Sequence, residues 1–324
     1  MIDRHRRGSF IMIEWRQANP RVLESWYEKS GVRGSPRRVV STDDDILKDF
    51  FPRHLVTHLA HPAVAETDEV IKRYLLAQHL YQWLNFTKAF EVGVVCRATK
   101  LIAEQDCGIE VPSRVRMDAY KILVDESYHA LYSVDAVEQI QTRSGIEALP
   151  YDFQPFLDNL DRIGADHPRH RRLVQLVQVF VFETLITGLL VDIPKDPNVV
   201  SLVRQIARDH AIDEGRHHVY FADFFGRLWG QLEPGDRQVV AALLPDLIIR
   251  SLQPATRSAS SALREIGFSP AAARSIIAES YDQESVTAGI RSAAERTIGI
   301  LEDYGVLDQP GAREGFAESG LLDF

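Results

Sequence analysis

From about Ser41 onward, apolar positions recur every three or four residues, the period of helices that bury one face. The pattern predicts long helices over 67–105, 113–143, 171–192, 196–230, 234–265 and 269–304. Each is bounded by Pro, Gly or a polar cap, as at Pro112-Ser113 and Glu233-Pro234-Gly235. Asp43, Asp44 and Asp45 supply acceptors for the first helix start, and His61-Pro62 breaks the chain once. Period-two alternation never persists long enough to predict a sheet. The stretch 144–170 exceeds the usual bundle connection of about 2–8 residues, and is expected to cross the bundle. Before Ser41 the chain is mixed, ending in the basic loop Gly31 to Arg38. The expected organisation is a loosely attached arm over 1–40, an all-α helical-bundle domain over 41–310 and a tail over 311–324, read as a frayed terminus.

Leu173 to Val191 has nearly the length of a membrane span, but Glu183 sits at its centre, where hydrocarbon penalises a carboxylate by several kcal/mol. A helix buried in protein is the better expectation. At 324 residues and 45% hydrophobic content the chain can bury a large core. Its net charge of -9 gives no basic footprint for nucleic acid and no attraction to anionic lipid, so neither partner is expected. Cys96 and Cys107 fall on one predicted helix, about 16 Å apart along its axis, and cannot pair there. Without a disulfide framework the expected home is a reducing cytoplasm. The apolar run Phe10 to Ile13 is too short for a secretion signal.

The chemistry lies in an internal echo. Asp125-Glu-Ser-Tyr-His129 and Asp213-Glu-Gly-Arg-His217 share the pattern Asp-Glu-x-x-His on two predicted helices. With about 100° of turn per residue, Glu126 and His129 stand about 60° apart on one face, and Glu214 and His217 repeat that geometry. His210 lies one turn before Glu214 on the same stripe. Two Glu-x-x-His helices plus one Glu from each of two others is a recurring way for bundles to hold two metal ions. Glu91 and Glu183 supply the other two carboxylates, each inside an apolar helix. A buried carboxylate is costly to keep charged, and a dication removes that cost. Oxygen and imidazole ligands without thiolate suit iron or manganese, and iron can reduce dioxygen. Asp125 and Asp213, four residues before each histidine, are placed to accept the second imidazole N–H, and Arg216 to balance one of them. His167, His170 and His218 are read as surface residues. His54, His58 and His61 form a stripe without a carboxylate in phase and are not read as a site.

At these residues the sequence resembles the p-aminobenzoate N-oxygenase family, diiron enzymes that use dioxygen to oxidise amines toward hydroxylamine, nitroso or nitro products. The order Glu91, Glu126-x-x-His129, Glu183, His210-x-x-x-Glu214-x-x-His217 carries the resemblance, and the third histidine is its distinguishing mark. Ribonucleotide reductase small subunits and multicomponent monooxygenases share the form of Asp213 to His217 but use two histidines. The resemblance implies a ferritin-like, ribonucleotide-reductase-like bundle holding two iron ions. Glu126 and Glu214 would bridge them, Glu91 and His129 would complete one, and Glu183, His210 and His217 the other. It further implies a small amine substrate in specialised metabolism such as antibiotic biosynthesis, a ferredoxin or flavin reductase as electron donor, and a homodimer. Arg291 and Arg296 are candidates for holding a substrate carboxylate. Gly93, Gly188 and Tyr128 are candidates for shaping the pocket, although the glycines equally suit close helix approach. The competing readings are a diiron carbon hydroxylase or oxidase, a radical-generating subunit using Tyr128, and a ferroxidase or iron store. The third histidine argues against the radical subunit, and chain length against the store.

Overall fold

The computed structural model describes residues 22–165, 167–185 and 190–323. Among them every long element is helical, and an isolated bridge between Asp49 and Val199 is the nearest approach to a sheet. Two single turns, α1 (Trp26–Lys29) and α2 (Gly31–Gly34), and a third, α3 (Pro62–Ala65), precede α4 (Glu69–Phe90). A five-residue π turn, Glu91–Val95, then joins α4 to α5 (Cys96–Ala103). There follow α6 (Ser113–Ser144), α7 (Gln154–Arg162), α8 (Arg171–Leu185) and α9 (Ser201–Gln231). The chain continues with α10 (Pro234–Leu252), α11 (Thr256–Glu265), α12 (Pro270–Ser280), α13 (Gln283–Asp303) and α14 (Ala312–Glu318).

Local chemistry explains the boundaries. α6 stops at Gly145, whose φ of 70° places it in the left-handed region that glycine enters without a Cβ clash. The predicted helix 234–265 is two helices, because Pro254 forces Gln253 into extended backbone and ends α10. The predicted helix 269–304 is also divided. Asp282 accepts a hydrogen bond from the Ser285 N–H and starts α13 afresh, as Ser269 does for α12 through Ala272.

The long helices α4 with its π turn and α5, α6, α8 and α9 pack side by side and enclose the main core. Phe180 of α8 stacks on Phe225 of α9 with ring centroids 4.1 Å apart, fixing that pair face to face. α10 and α13 cover α8 from outside. The 144–170 connection carries α7, which packs on α10 and sets Leu157 against Gly93 of the π turn.

The described part of the arm is not loosely attached. Leu23, Trp26 and Ser30 are buried, and Arg38 pairs through two hydrogen bonds with Asp209 of α9. Residues 1–21 lie outside the described residues. The tail also packs: Phe316 and Leu321 are buried, so this end is part of the core rather than frayed. The described part of the span-like stretch, Val174 to Leu185, is a core helix. Among the described residues only Pro234–Glu265 has the length and mean hydropathy of a span, and the Gln253 turn interrupts it.

His58 is buried, with its Nδ1 3.1 Å from the Tyr281 hydroxyl, and burial pushes its pKa down to about 4 from 6.5. Between those values the unfolded chain binds the extra proton and the folded chain does not. Stability is therefore expected to fall by about 3 kcal/mol as pH drops through this window. His58→Gln should flatten that part of a plot of unfolding midpoint against pH.

Candidate metal centre

Helix geometry delivers all seven predicted residues to one buried place. Glu126 and His129 come from α6, Glu183 from α8, and His210, Glu214 and His217 from α9. Glu91 opens the π turn between α4 and α5, where one extra residue per turn re-aims side chains relative to a regular helix. Every one of the seven is at most 1% exposed. Their polar atoms form two groups, Glu91, His129, His210 and Glu214 in one and Glu126, Glu183, Glu214 and His217 in the other. In each, the ligand atoms lie within 4.8 Å of one another.

Glu214 belongs to both groups, with its Oε1 3.0 Å from His210 Nε2, 3.3 Å from His129 Nδ1 and 3.6 Å from His217 Nδ1. Glu126 also lies between them, its Oε2 3.0 Å from His129 Nδ1 and its Oε1 2.8 Å from His217 Nδ1. His210 falls with Glu91 and His129, not with Glu183 and His217 as the resemblance implies. The π turn brings Glu91 to the His210 side of α9, where His210 Nε2 lies 3.5 Å from Glu91 Oε1.

Several of these close approaches are not hydrogen bonds. Glu91 Oε2, Glu126 Oε1, Glu183 Oε2, both Glu214 oxygens, both His210 nitrogens and His217 Nδ1 are buried without a hydrogen-bond partner. So many unsatisfied buried groups would be costly in a protein core, where such atoms are nearly always paired. Lone pairs that converge without bonding to one another fit two cations held between them, and the donor set fits iron or manganese.

The orienting carboxylates act across the bundle. His129 Nε2 lies 3.3 Å from Asp213 on α9, and His217 Nε2 lies 3.2 Å from Asp125 on α6. Each aspartate thus serves the histidine of the other helix, because its own sits above it on the same face while the facing ring points across. The aspartates thus take the Nε2 side of both rings and turn Nδ1 toward the carboxylates, where His129 Nδ1 is hydrogen-bonded to Glu126 Oε2 at 3.0 Å. Asp125 also accepts a 2.8 Å hydrogen bond from the Trp26 indole N–H. Asp213 accepts from the Gly31 N–H and is ion-paired with Arg216. A Cβ on Gly31 would sit 2.6 Å from Asp213 Oδ2. Gly31→Ala is therefore expected to displace Asp213 and weaken metal binding by about tenfold, read by metal titration.

Burial drives the Glu91 and Glu183 carboxyls well above the usual carboxylate range, and the charges of Glu126 and Glu214 push in the same direction. Burial also pushes Glu126 and Glu214 up, but the facing histidines outweigh it and hold Glu126 at about 2 and Glu214 well below its ordinary value. Burial alone would lower His129 and His217. For His129 the Glu126 charge and the hydrogen bonds to Asp213 and Glu126, and for His217 the Glu126 and Glu214 charges, reverse the direction. Without cations the cluster thus resolves itself by holding protons, the places metal ions would take.

The remaining predicted residues are more dispersed. Arg291 donates to the Gly320 carbonyl at 3.0 Å and pairs with Asp323, which ties it to the C-terminal segment. Arg296 is exposed. Gly93 permits close helix approach, since a Cβ there would meet Leu157 at 3.2 Å. Gly188 lies outside the described residues. Tyr128 is half-buried and packs edge-on against Tyr132, 5.5 Å away. His218, read as a surface residue, is buried because it follows His217 into the packed face of α9. His170 pairs with Asp236.

Sequence reasoning missed Tyr132, whose ring lies 5.4 Å from His129 and 6.0 Å from His210, with its hydroxyl buried and unpartnered. Its position three residues after His129 was the available signal. It also missed Trp26 and Gly31, which no spacing connects to residues 99 and 182 positions away. A cavity of about 460 Å³ lies between α4, α11 and the loop around His58, and none of the seven residues lines it.

Four core helices, two Glu-x-x-His pairs and two further buried carboxylates define a helical bundle with a candidate dimetal site at its centre. The chain belongs to the p-aminobenzoate N-oxygenase AurF family, whose sequence profile matches residues 17–305. No curated protein sequence matches it.

Proposed function

We propose that this chain is a diiron N-oxygenase that oxidises the amine nitrogen of a small aromatic substrate with dioxygen. The observation that carries the reading is the convergence of buried, unpaired ligand atoms into two groups sharing Glu214, in a chain of this oxygenase family. Glu91, His129 and His210 would hold one ion, and Glu183 and His217 the other, with Glu126 and Glu214 between them. When bound, the two irons supply the electrons and the Lewis acidity needed to activate dioxygen.

The chain's own residues supply order and dryness. Asp125 and Asp213 lock the two imidazole rings, so the ligand nitrogens are presented without a rotameric search. Phe90 and Phe182, neighbours in sequence of Glu91 and Glu183, are buried and stack with centroids 3.5 Å apart. Phe86 and Phe156 extend that aromatic wall, which excludes water and matches the face of an aromatic amine. Two electrons must come from outside, from a ferredoxin or flavin reductase, and we expect a homodimer in the cytoplasm. Met117, Tyr120, Val124, Leu131 and Val134 form an exposed apolar stripe along α6 that suits a second copy.

One observation favours a second reading. The buried, unpartnered Tyr132 hydroxyl beside His129 and His210 is where a radical-generating subunit would keep its tyrosine. Iron-loaded protein, a chemical reductant, dioxygen and a panel of aryl and alkyl amines separate the two. N-oxidised aryl product supports the proposal. A stable tyrosyl radical without any N-oxidised product overturns it in favour of the second.

A further inference from the structure

The hydrogen-bonded chain from His217 does not end at Asp125. Asp125 Oδ2 accepts from His217 Nε2 at 3.2 Å and from Trp26 Nε1 at 2.8 Å. The indole of Trp26, itself 7% exposed, meets the ring of Tyr27 edge-on with centroids 5.2 Å apart. Tyr27 is 54% exposed. Three side chains, Tyr27, Trp26 and the Asp125 carboxylate, therefore connect the surface to a histidine of the candidate metal centre. Electron transfer falls steeply with distance through empty space and much less through hydrogen bonds and touching aromatic rings.

Cations flank the outer end of this path. The Arg33 guanidinium lies 5.6 Å and the Lys121 ammonium 5.7 Å from the centroid of the Tyr27 ring. Lys121 is balanced by Asp118, whereas Arg33 donates to the Tyr27 carbonyl, and among the described residues neither Arg33 nor Lys29, exposed on α1, has an ion pair. Glu28 is the exposed carboxylate on the same turn. On a chain with net charge -9, an acidic protein is repelled at long range, and a cation-flanked exposed aromatic is a place where one can dock.

We infer that Tyr27 and its flanking cations form the docking point of an acidic one-electron carrier of the ferredoxin class, and that Trp26 and Asp125 lead its electron to His217. Each encounter oxidises the carrier's iron–sulfur cluster by one electron and reduces one ferric ion to ferrous, so two encounters reduce the pair. Trp26 and Asp125 are positioning residues in this scheme and are unchanged at its end. The inference rests on the diiron reading above.

The test is anaerobic stopped-flow reduction of the diferric protein, followed by loss of its ferric absorbance, with either reduced plant-type [2Fe–2S] ferredoxin or dithionite. Tyr27→Leu and Lys29→Glu alter exposed side chains remote from the ligands, so iron content and melting temperature serve as controls. Each should slow reduction by ferredoxin by about tenfold, and Lys29→Glu should also reduce its dependence on ionic strength, while dithionite reduces wild type and variants within about twofold of one another. Trp26→Phe, which keeps the ring but not the N–H, should slow the ferredoxin reaction with iron retained. Ferredoxin rates equal to wild type in Tyr27→Leu and Lys29→Glu overturn the inference and leave the diiron reading standing. Reduction of wild type by dithionite but not ferredoxin overturns it in the same way. A chain that binds no iron overturns both.

Discussion

Glu214→Ala is expected to leave the protein with almost no bound iron, whereas Glu183→Ala should retain about half of the wild-type content. The difference follows from geometry. Glu214 is the one residue common to both groups, and its Oε1 faces all three histidines within 3.6 Å. Its removal takes a negative ligand from both ions at once and leaves His129, His210 and His217 facing one another. Glu183 belongs to one group only, so the Glu91, His129, His210 and Glu214 set stays whole. Activity in either variant should fall by about a thousandfold or more, since metal polarisation is worth several kcal/mol and each 1.4 kcal/mol or so is tenfold. Iron per chain after anaerobic loading is the measurement. Full metal content in Glu214→Ala would contradict the ligand assignment, and equal losses in both variants would contradict the division into two groups.

Asp125→Ala should weaken metal binding by about 10–100-fold, and the loss should fall on the ion held by His217 rather than His129. Asp125 accepts the Nε2–H of His217 from the facing helix. Without it that ring loses its fixed tautomer, and the Trp26 N–H is stranded in the core. A titration in which Mössbauer spectra resolve the two sites distinguishes this from pairing within one helix, under which the His129 site would suffer. Asp125→Asn keeps an acceptor but not the charge, and should lie between wild type and Ala.

Much of this centre was legible before any coordinates, and the reason is periodicity. A helix converts the spacing of Glu126 and His129, or of His210, Glu214 and His217, directly into a shared face. A carboxylate inside an apolar run, as at Glu183, signals burial that needs compensation. What spacing cannot convey is how helices face one another. The crossed pairing of Asp125 with His217 and Asp213 with His129 depends on the packing of α6 against α9, and the placement of His210 beside Glu91 depends on the π turn. The arm looked loose because its composition is mixed. Leu23, Trp26 and Gly31 nevertheless find burial in contacts that no local pattern encodes. Helix ends followed the same division: Pro112-Ser113 marked the start of α6, while Pro254 and Asp282 split helices whose apolar rhythm runs on across the break.

If the proposed function holds, two irons held by the buried carboxylates and histidines should deliver oxygen from dioxygen to an amine nitrogen. A single turnover of chemically reduced, iron-loaded protein with ¹⁸O₂ and p-aminobenzoate tests it most directly, with products read by mass spectrometry. The expected result is hydroxylamine, nitroso or nitro product carrying ¹⁸O on nitrogen, and none from Glu214→Ala. Label on ring carbon, or consumption of dioxygen with the amine unchanged, would contradict it.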